Sequence, residues 1–186
     1  MKSTVSVTCL AIVTALLIAC APKSNDAQQQ PTSAAATQVS DEAAQEQKHI
    51  ETFDDLDFNV YSGQKWDEFH RSHAENIIVH YPDGHTTTGL AAHLAELKPQ
   101  FEFAPDTNIK VHPVKVAQDN FTAVTGVMEG TFSKPMKLPD GTVIQPTNKP
   151  FKLDMATFGR WENGVMVEEW LFWDNQTFMK QIGLAQ

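Results

Sequence analysis

The sequence predicts an α+β domain in which a strongly curved, mostly antiparallel sheet wraps around N-terminal helices, and three observations predict it. Helical periodicity is confined to the first half of the folded region, where Leu90, Leu94, Leu97 and Phe101 recur at i, i+4, i+7 and i+11. From Asn108 onward the pattern changes to short runs rich in β-branched and aromatic residues. Two of those runs, Phe151–Trp161 and Val165–Trp173, are joined through Asn163-Gly164, a pair that accepts positive φ and marks a hairpin. Helices first, one early strand, a further helix and then a strand meander give the α+β arrangement.

Taken in order, Ser40 with Asp41 and Glu42 reads as a helix start, acids in the first turn facing the helix dipole. Ile50, Phe53, Leu56 and Val60 give that helix an apolar stripe before Gly63. A second short helix over 64–71 presents Trp66, Phe69 and His70 on one side. Ile77–Tyr81 reads as a strand ended by the turn Pro82-Asp83-Gly84. The amphipathic helix Gly89–Phe101 follows, and Pro99 in its last turn is expected to end it early. Ile109 to Val116 is an edge strand interrupted at Pro113, Phe121–Phe132 alternates loosely, and 133–149 is a loop with a small hairpin at Asp140-Gly141. The chain closes on Val165–Gly183, where an aromatic strand delivers Asp174 to the start of a short helix.

Bulk properties narrow the function. The two cysteines, Cys9 and Cys20, lie in the first twenty residues of the 186-residue chain, so the folded region has no thiol for a disulfide, a thiolate metal site or a nucleophile. A formal charge of −9 argues against a nucleic-acid partner, because phosphate contacts need a basic stripe. Residues 1–19 read as an export signal, and Leu17-Ile18-Ala19-Cys20 resembles a bacterial lipobox with Cys20 as the lipidated residue. That resemblance implies a membrane attachment through a lipid at Cys20; Ala21 after it implies the outer membrane of the bacterial cell envelope, facing the periplasm. Residues 20–40 have a tether's composition, leaving 41–186 as the folded domain.

Glu168-x-Trp170, Asp174 and Gln181-Ile182-Gly183 resemble the C-terminal pattern of SnoaL-like polyketide cyclases. Trp66-x-x-Phe69, Val79-His80-x-Pro82-x-Gly84 with Gly89, and Gly126 with Gly130-Thr131 are similar to the front and middle of the same family, over about 50–184. The resemblance is to its "ester cyclase" members, in the nuclear-transport-factor-2-like superfamily. It implies a cone-shaped, cystatin-like roll, a homodimer, an apolar pocket inside the curved sheet, and proton transfer by a pocket aspartate without metal or cofactor. Asp174 matches that aspartate; the histidine that many members carry after the middle Gly-Thr pair is absent here, where Phe132-Ser133 stand.

A two-residue turn at Asn163-Gly164 pairs Glu162 with Val165 and sets Met166, Glu168, Trp170, Phe172 and Asp174 opposite Leu153, Met155, Thr157, Gly159 and Trp161. The resemblance selects this face as the pocket. The candidate acid/base residues are Asp174, His80 and Asp154, and the candidate pocket wall is Trp66, Tyr81, Met155, Glu168, Trp170 and Phe172, around an apolar small molecule. Asp174 has an alternative role as a helix cap, His80 as a strand histidine, and Asp154 as partner of a basic group. His70 and His73 are spaced like a metal pair but lack a convincing third ligand, so no metal is expected. Glu169 and Arg160 are expected to pair at the surface or an interface. The function expected is cofactor-free cyclase, isomerase or hydrolase chemistry on a hydrophobic carbonyl compound; the alternative is a non-catalytic ligand-binding or dimeric scaffold lipoprotein.

Overall fold

A computed structural model describes residues 33–186, with side chains from residue 37. Cys20, the signal segment and most of the tether lie outside the described residues. Helix α1 runs from Ser33 to Asp55, seven residues earlier than the Ser40 start, so the end of the expected tether is helical. It continues without a break into a π-helix, Leu56–Tyr61. A 3-10 helix follows at Trp66–Arg71. Strands β1 (His73–His80) and β2 (Thr86–Thr88), helix α2 (Leu90–Phe103), and strands β3 (Asn108–Ile109), β4 (Lys115–Gln118) and β5 (Phe121–Thr131) come next. A small hairpin of β6 (Met136–Lys137) and β7 (Val143–Ile144) precedes the long strands β8 (Pro150–Glu162) and β9 (Val165–Trp173), and α3 (Asn175–Gln181) closes the chain.

The main sheet runs β2-β1-β9-β8-β5-β3, with β4 also paired to β5. Its pairs are antiparallel except β1 with β9, which are parallel because the early strand returns beside the last one. Burial alternates along β5, where Thr122, Val124, Gly126, Met128 and Gly130 face inward, the period-2 pattern of a half-covered sheet. The inner face, with Phe53, Leu56 and Val60 from the first helix and Leu90, Phe101 and Phe103 from α2, forms the core. Pro99 does not end α2. Phe101 and Phe103 beyond it are buried, and Phe101 meets the rings of Tyr61 and Trp66, contacts that offset the one hydrogen bond a proline removes.

The β8–β9 hairpin places the site. Asn163 and Gly164 both adopt positive φ, 51° and 83°, and pin Glu162 opposite Val165 and Trp161 opposite Met166, as the turn predicts. The register then shifts: Arg160 pairs with Glu168, so Val167 is an extra, bulged residue on β9. Because side chains alternate with period 2, one inserted residue moves every later side chain of β9 to the opposite face. Glu169, Leu171 and Trp173 therefore join Met155 and Thr157 on the inner face, and Glu168, Trp170 and Phe172 turn outward.

Candidate active site

Between the inner face, the π-helix and α2 lies a cavity of about 270 Å³. Its walls are mostly apolar, with Leu56, Phe69, Leu97, Ile109, Met128 and Leu171 prominent, and two clusters of acid and imidazole are set into them. This is the usual chemistry of a small-molecule site, an apolar container with few polar groups.

The first cluster is built on the π-helix. An i→i+5 turn is rare and often marks a functional position, since it rotates a side chain out of the helical register. Here it carries Asp57 and Tyr61, both of which line the cavity. Asp57 Oδ2 and Asp54 Oδ1 each lie 2.8 Å from a ring nitrogen of buried His112, on Nε2 and Nδ1 respectively, and Lys115 Nζ reaches Asp54 Oδ2 at 2.7 Å. Two carboxylates on one ring favour the imidazolium, in which both ring nitrogens donate. Burial opposes that charge, but the hydrogen bonds His112 donates to Asp57 and Asp54 outweigh it and the His112 pKa rises. Burial pushes the Asp57 carboxyl above the usual carboxylate range even against the bond to His112. The Tyr61 hydroxyl has one partner, Met128 Sδ at 3.6 Å, a weak acceptor, and burial raises its pKa so that it stays protonated.

The second cluster brings together β1, α2 and β9. Glu169 Oε2 lies 3.7 Å from His73 Nε2 and 3.6 Å from His93 Nε2, and all three residues are buried. The far side of each ring is held: His73 Nδ1 by Ser72 Oγ at 2.8 Å and His93 Nδ1 by the Tyr81 hydroxyl at 2.9 Å. Burial drives the His93 pKa down to about 4, so that ring is neutral near pH 7. Burial raises the Glu169 carboxyl, but the neighbouring His73 more than reverses it, and the Glu169 pKa falls below its ordinary value.

The SnoaL-like polyketide cyclase model matches residues 57–182. The chain belongs to that family. Among solved structures it is similar to a candidate SnoaL-like polyketide cyclase of Jannaschia sp. CCS1, at 17% identity and TM-score 0.65, over 76% of this chain and 95% of that one. It is similar to IdmH of Streptomyces antibioticus, a candidate polyketide cyclase, at 22% identity and TM-score 0.62, over 73% of this chain and 98% of that one. A Catenulispora acidiphila protein of ketosteroid isomerase-like fold, in complex with trimethylamine, aligns at 13% identity and TM-score 0.57, over 74% and 93%. At these identities the structures speak for the fold. No curated protein sequence matches the chain.

The SnoaL-like cavity takes in some of the residues singled out from the sequence and leaves others out. Tyr81 and Met155 line it. Trp66 stacks on Phe69 and meets Phe101 edge-on, behind the wall rather than in it. The Val167 bulge puts Glu168, Trp170 and Phe172 on the outer face, where His80 stacks on Trp170 and bonds Glu168 at 2.9 Å. Asp154 is exposed on the same outer side of β8. Asp174 is fully exposed and caps α3: its Oδ1 accepts from Gln176 N at 2.9 Å and Thr177 N at 3.1 Å, and its Oδ2 from Thr177 Oγ1 at 2.6 Å. Three donors on the ionised carboxyl hold its pKa below the ordinary value. Of the two readings open to Asp174, the geometry is that of the cap.

Arg160 pairs with Glu168 and Glu162, not with Glu169, which the bulge has turned inward. His70 is exposed and bonds Asp67 O, so it does not pair with His73. His93 and Asp57 were not singled out from the sequence, and Glu169 was expected only as a surface or interface partner of Arg160. For His93 a signal existed: it falls three residues after Leu90 and four before Leu97, within the apolar stripe of α2.

Proposed function

We propose that this chain moves a proton on the carbon beside the carbonyl of a hydrophobic compound held in the cavity, as a cyclase or isomerase does. The observation that carries the reading is that Asp57, held through Oδ2 by His112, and Tyr61, with its poorly partnered hydroxyl, line the same apolar cavity; burial raises the Asp57 carboxyl above its ordinary range. A carboxylate raised toward neutrality is a better general base than an ordinary one. Asp57 Oδ1 takes no hydrogen bond, so it is free to accept the substrate's α-proton while Oδ2 stays on His112. The Tyr61 hydroxyl, four residues on and poorly partnered, donates to the carbonyl oxygen as the enolate forms. The enolate carbon then attacks a second carbonyl of the same molecule, closing a ring, or is reprotonated elsewhere. Either outcome conserves electrons and needs no redox partner.

The test needs no knowledge of the natural substrate. In D2O, the protein is expected to speed exchange of the α-protons of a hydrophobic cyclic ketone, followed by NMR, and Asp57→Asn to lower that rate by about 10² to 10⁴-fold. An Asp57→Asn protein that exchanges as fast as the parent sinks the assignment. A protein that binds the ketone without exchanging it supports the binding-protein reading instead.

Two further proposals concern the surroundings. Lipid attachment at Cys20 in the bacterial envelope is supported by the lipobox-like Leu17–Cys20; the expected outcome is a lipidated N-terminus by mass spectrometry of membrane fractions. A homodimer through the outer sheet face is supported by Phe158 and Phe172, 45% and 49% exposed on adjacent strands and meeting edge-on. Sedimentation of the wild type and of Phe172→Lys would separate dimer from monomer.

A further inference from the structure

Geometry in the second cluster is incomplete as it stands. The Ser72 hydroxyl lies 3.2 Å from the Phe69 carbonyl and 2.8 Å from His73 Nδ1, which holds that side of the ring. The other nitrogen, His73 Nε2, faces Glu169 Oε2, and neither atom has a hydrogen-bond partner although both are out of solvent. A gap of 3.7 Å is too long for a charge-assisted hydrogen bond, which closes to about 2.7–2.9 Å. His93 Nε2 turns to the same oxygen at 3.6 Å, and the donor atoms of the three side chains lie within 4.8 Å of one another. Three potential ligand atoms gathered in one buried place, two of them without a hydrogen-bond partner, are an arrangement that a bound cation would satisfy.

We propose that His73 Nε2, His93 Nε2 and Glu169 Oε2 are the three protein ligands of a divalent transition-metal ion, a site with an open fourth position toward the cavity. Spacing supports it: ligands about 2.0–2.1 Å from a tetrahedral ion stand about 3.4 Å apart, a few tenths less than the two histidine–carboxylate gaps, and the three atoms lie within 4.8 Å of one another. The donor set supports it as well. Two imidazoles and one carboxylate suit zinc, cobalt or iron and disfavour magnesium or calcium, which prefer all-oxygen shells. The outer contacts are those of metal-ligating histidines, each ring fixed through its other nitrogen, by Ser72 and by Tyr81. The site stands on these contacts and does not depend on Asp57 moving a proton. If both hold, the ion would polarise the substrate oxygen that Asp57 and Tyr61 also address.

The experiment uses the full untagged chain, stripped with chelator and titrated with Co²⁺, whose visible absorption reports tetrahedral coordination. About one equivalent per chain is expected, with displacement by Zn²⁺. Glu169→Gln and His93→Ala are expected to lose at least about 100-fold in affinity, and Tyr81→Phe, which keeps all three ligands, about 10-fold. His70→Ala, which removes an exposed imidazole bonded to the Asp67 carbonyl and outside the cavity wall, is expected to bind as the parent does. Weak or non-stoichiometric binding by the folded wild type overturns the proposal, as does equal binding by Tyr81→Phe with loss in His70→Ala. Should His93→Ala fail to fold, the wild-type spectrum and the Tyr81→Phe comparison decide. All readouts are of binding, so failure here leaves the exchange assay on Asp57→Asn to be judged separately.

Discussion

The two acid–imidazole clusters in this cavity are made of the same residue types and differ in one respect. Around His112, each ring nitrogen has a carboxylate at 2.8 Å and the outer carboxylate has a lysine. Around Glu169, both ring nitrogens stand off by 3.6–3.7 Å and two buried polar atoms have no partner. The first cluster has what it needs from the chain and tunes Asp57; the second is preorganised for something the chain does not supply. Buried polar atoms are nearly always satisfied in folded proteins, so the contrast marks the second cluster as the place to look for a ligand.

Unequal stability costs follow and are the largest effects expected. His112→Leu leaves Asp54 and Asp57 without their shared imidazolium, and two charge-assisted hydrogen bonds are lost together. After allowing for the partial exposure of both acids, urea unfolding is expected to show a loss of roughly 3 kcal/mol. In chelator-treated protein, Glu169→Gln keeps the shape and removes a carboxylate that makes no short contact with either imidazole. Its expected cost is about 1 kcal/mol or less. Equal costs in the two variants would erase the distinction between the clusters.

The same cluster sharpens the comparison through pH. The His112 pKa is raised above 6.5 in the folded protein, so the stability it contributes is fully present below 6.5 and is lost as pH rises through the folded value. Every group facing the ring is accounted for: Asp54 and Asp57 on its nitrogens, Lys115 on Asp54, the rings of Phe53 and Phe58, and the backbone of Gly126. The histidines with lowered values, His49 and His93, act below 6.5 and do not interfere at alkaline pH. Melting temperature should therefore fall between neutrality and the onset of lysine titration in the wild type and stay flatter in His112→Leu. A parallel decline in both would reassign the effect to other groups.

Much of this architecture can be read from the sequence, because local chemistry dictated it. The Asn163-Gly164 turn fixed the hairpin register for its first two pairs, and the apolar stripe gave α2. What could not be read is one residue long. The Val167 bulge has no turn residue or proline to announce it; the mismatch of β9 against both β8 and the parallel β1 decides it. Before the bulge the inner face is Met166; after it, Glu169. An acid between valines and a leucine, with a tryptophan two residues further on, is a signal, but only in the shifted register does it meet His73 and His93. Asp57 differs: it falls four residues after Phe53 and three before Val60, on the apolar stripe of the first helix, a signal like that of His93, and the π turn then sets it in the cavity wall.

The smallest effect expected belongs to Asp174, the acid that the family resemblance would favour as the proton carrier. Its carboxylate is held by donors of its own helix, and although Trp173 and Asn175 on either side of it line the cavity, Asp174 itself does not. Replacing it by alanine removes an N-cap and should cost about 1 kcal/mol in urea unfolding, with α3 still anchored by Ile182 and by the two hydrogen bonds between Gln181 and the Lys152 backbone. Ketone exchange and Co²⁺ binding should be unchanged within a factor of two, which corresponds to about 0.4 kcal/mol. Asp174→Asn can still cap and should recover most of the stability. A loss of exchange in Asp174→Asn comparable to that in Asp57→Asn would return the chemistry to the end of β9. It would also mean that α3 opens during turnover, because Asp174 can reach the cavity only by releasing the Gln176 and Thr177 amides.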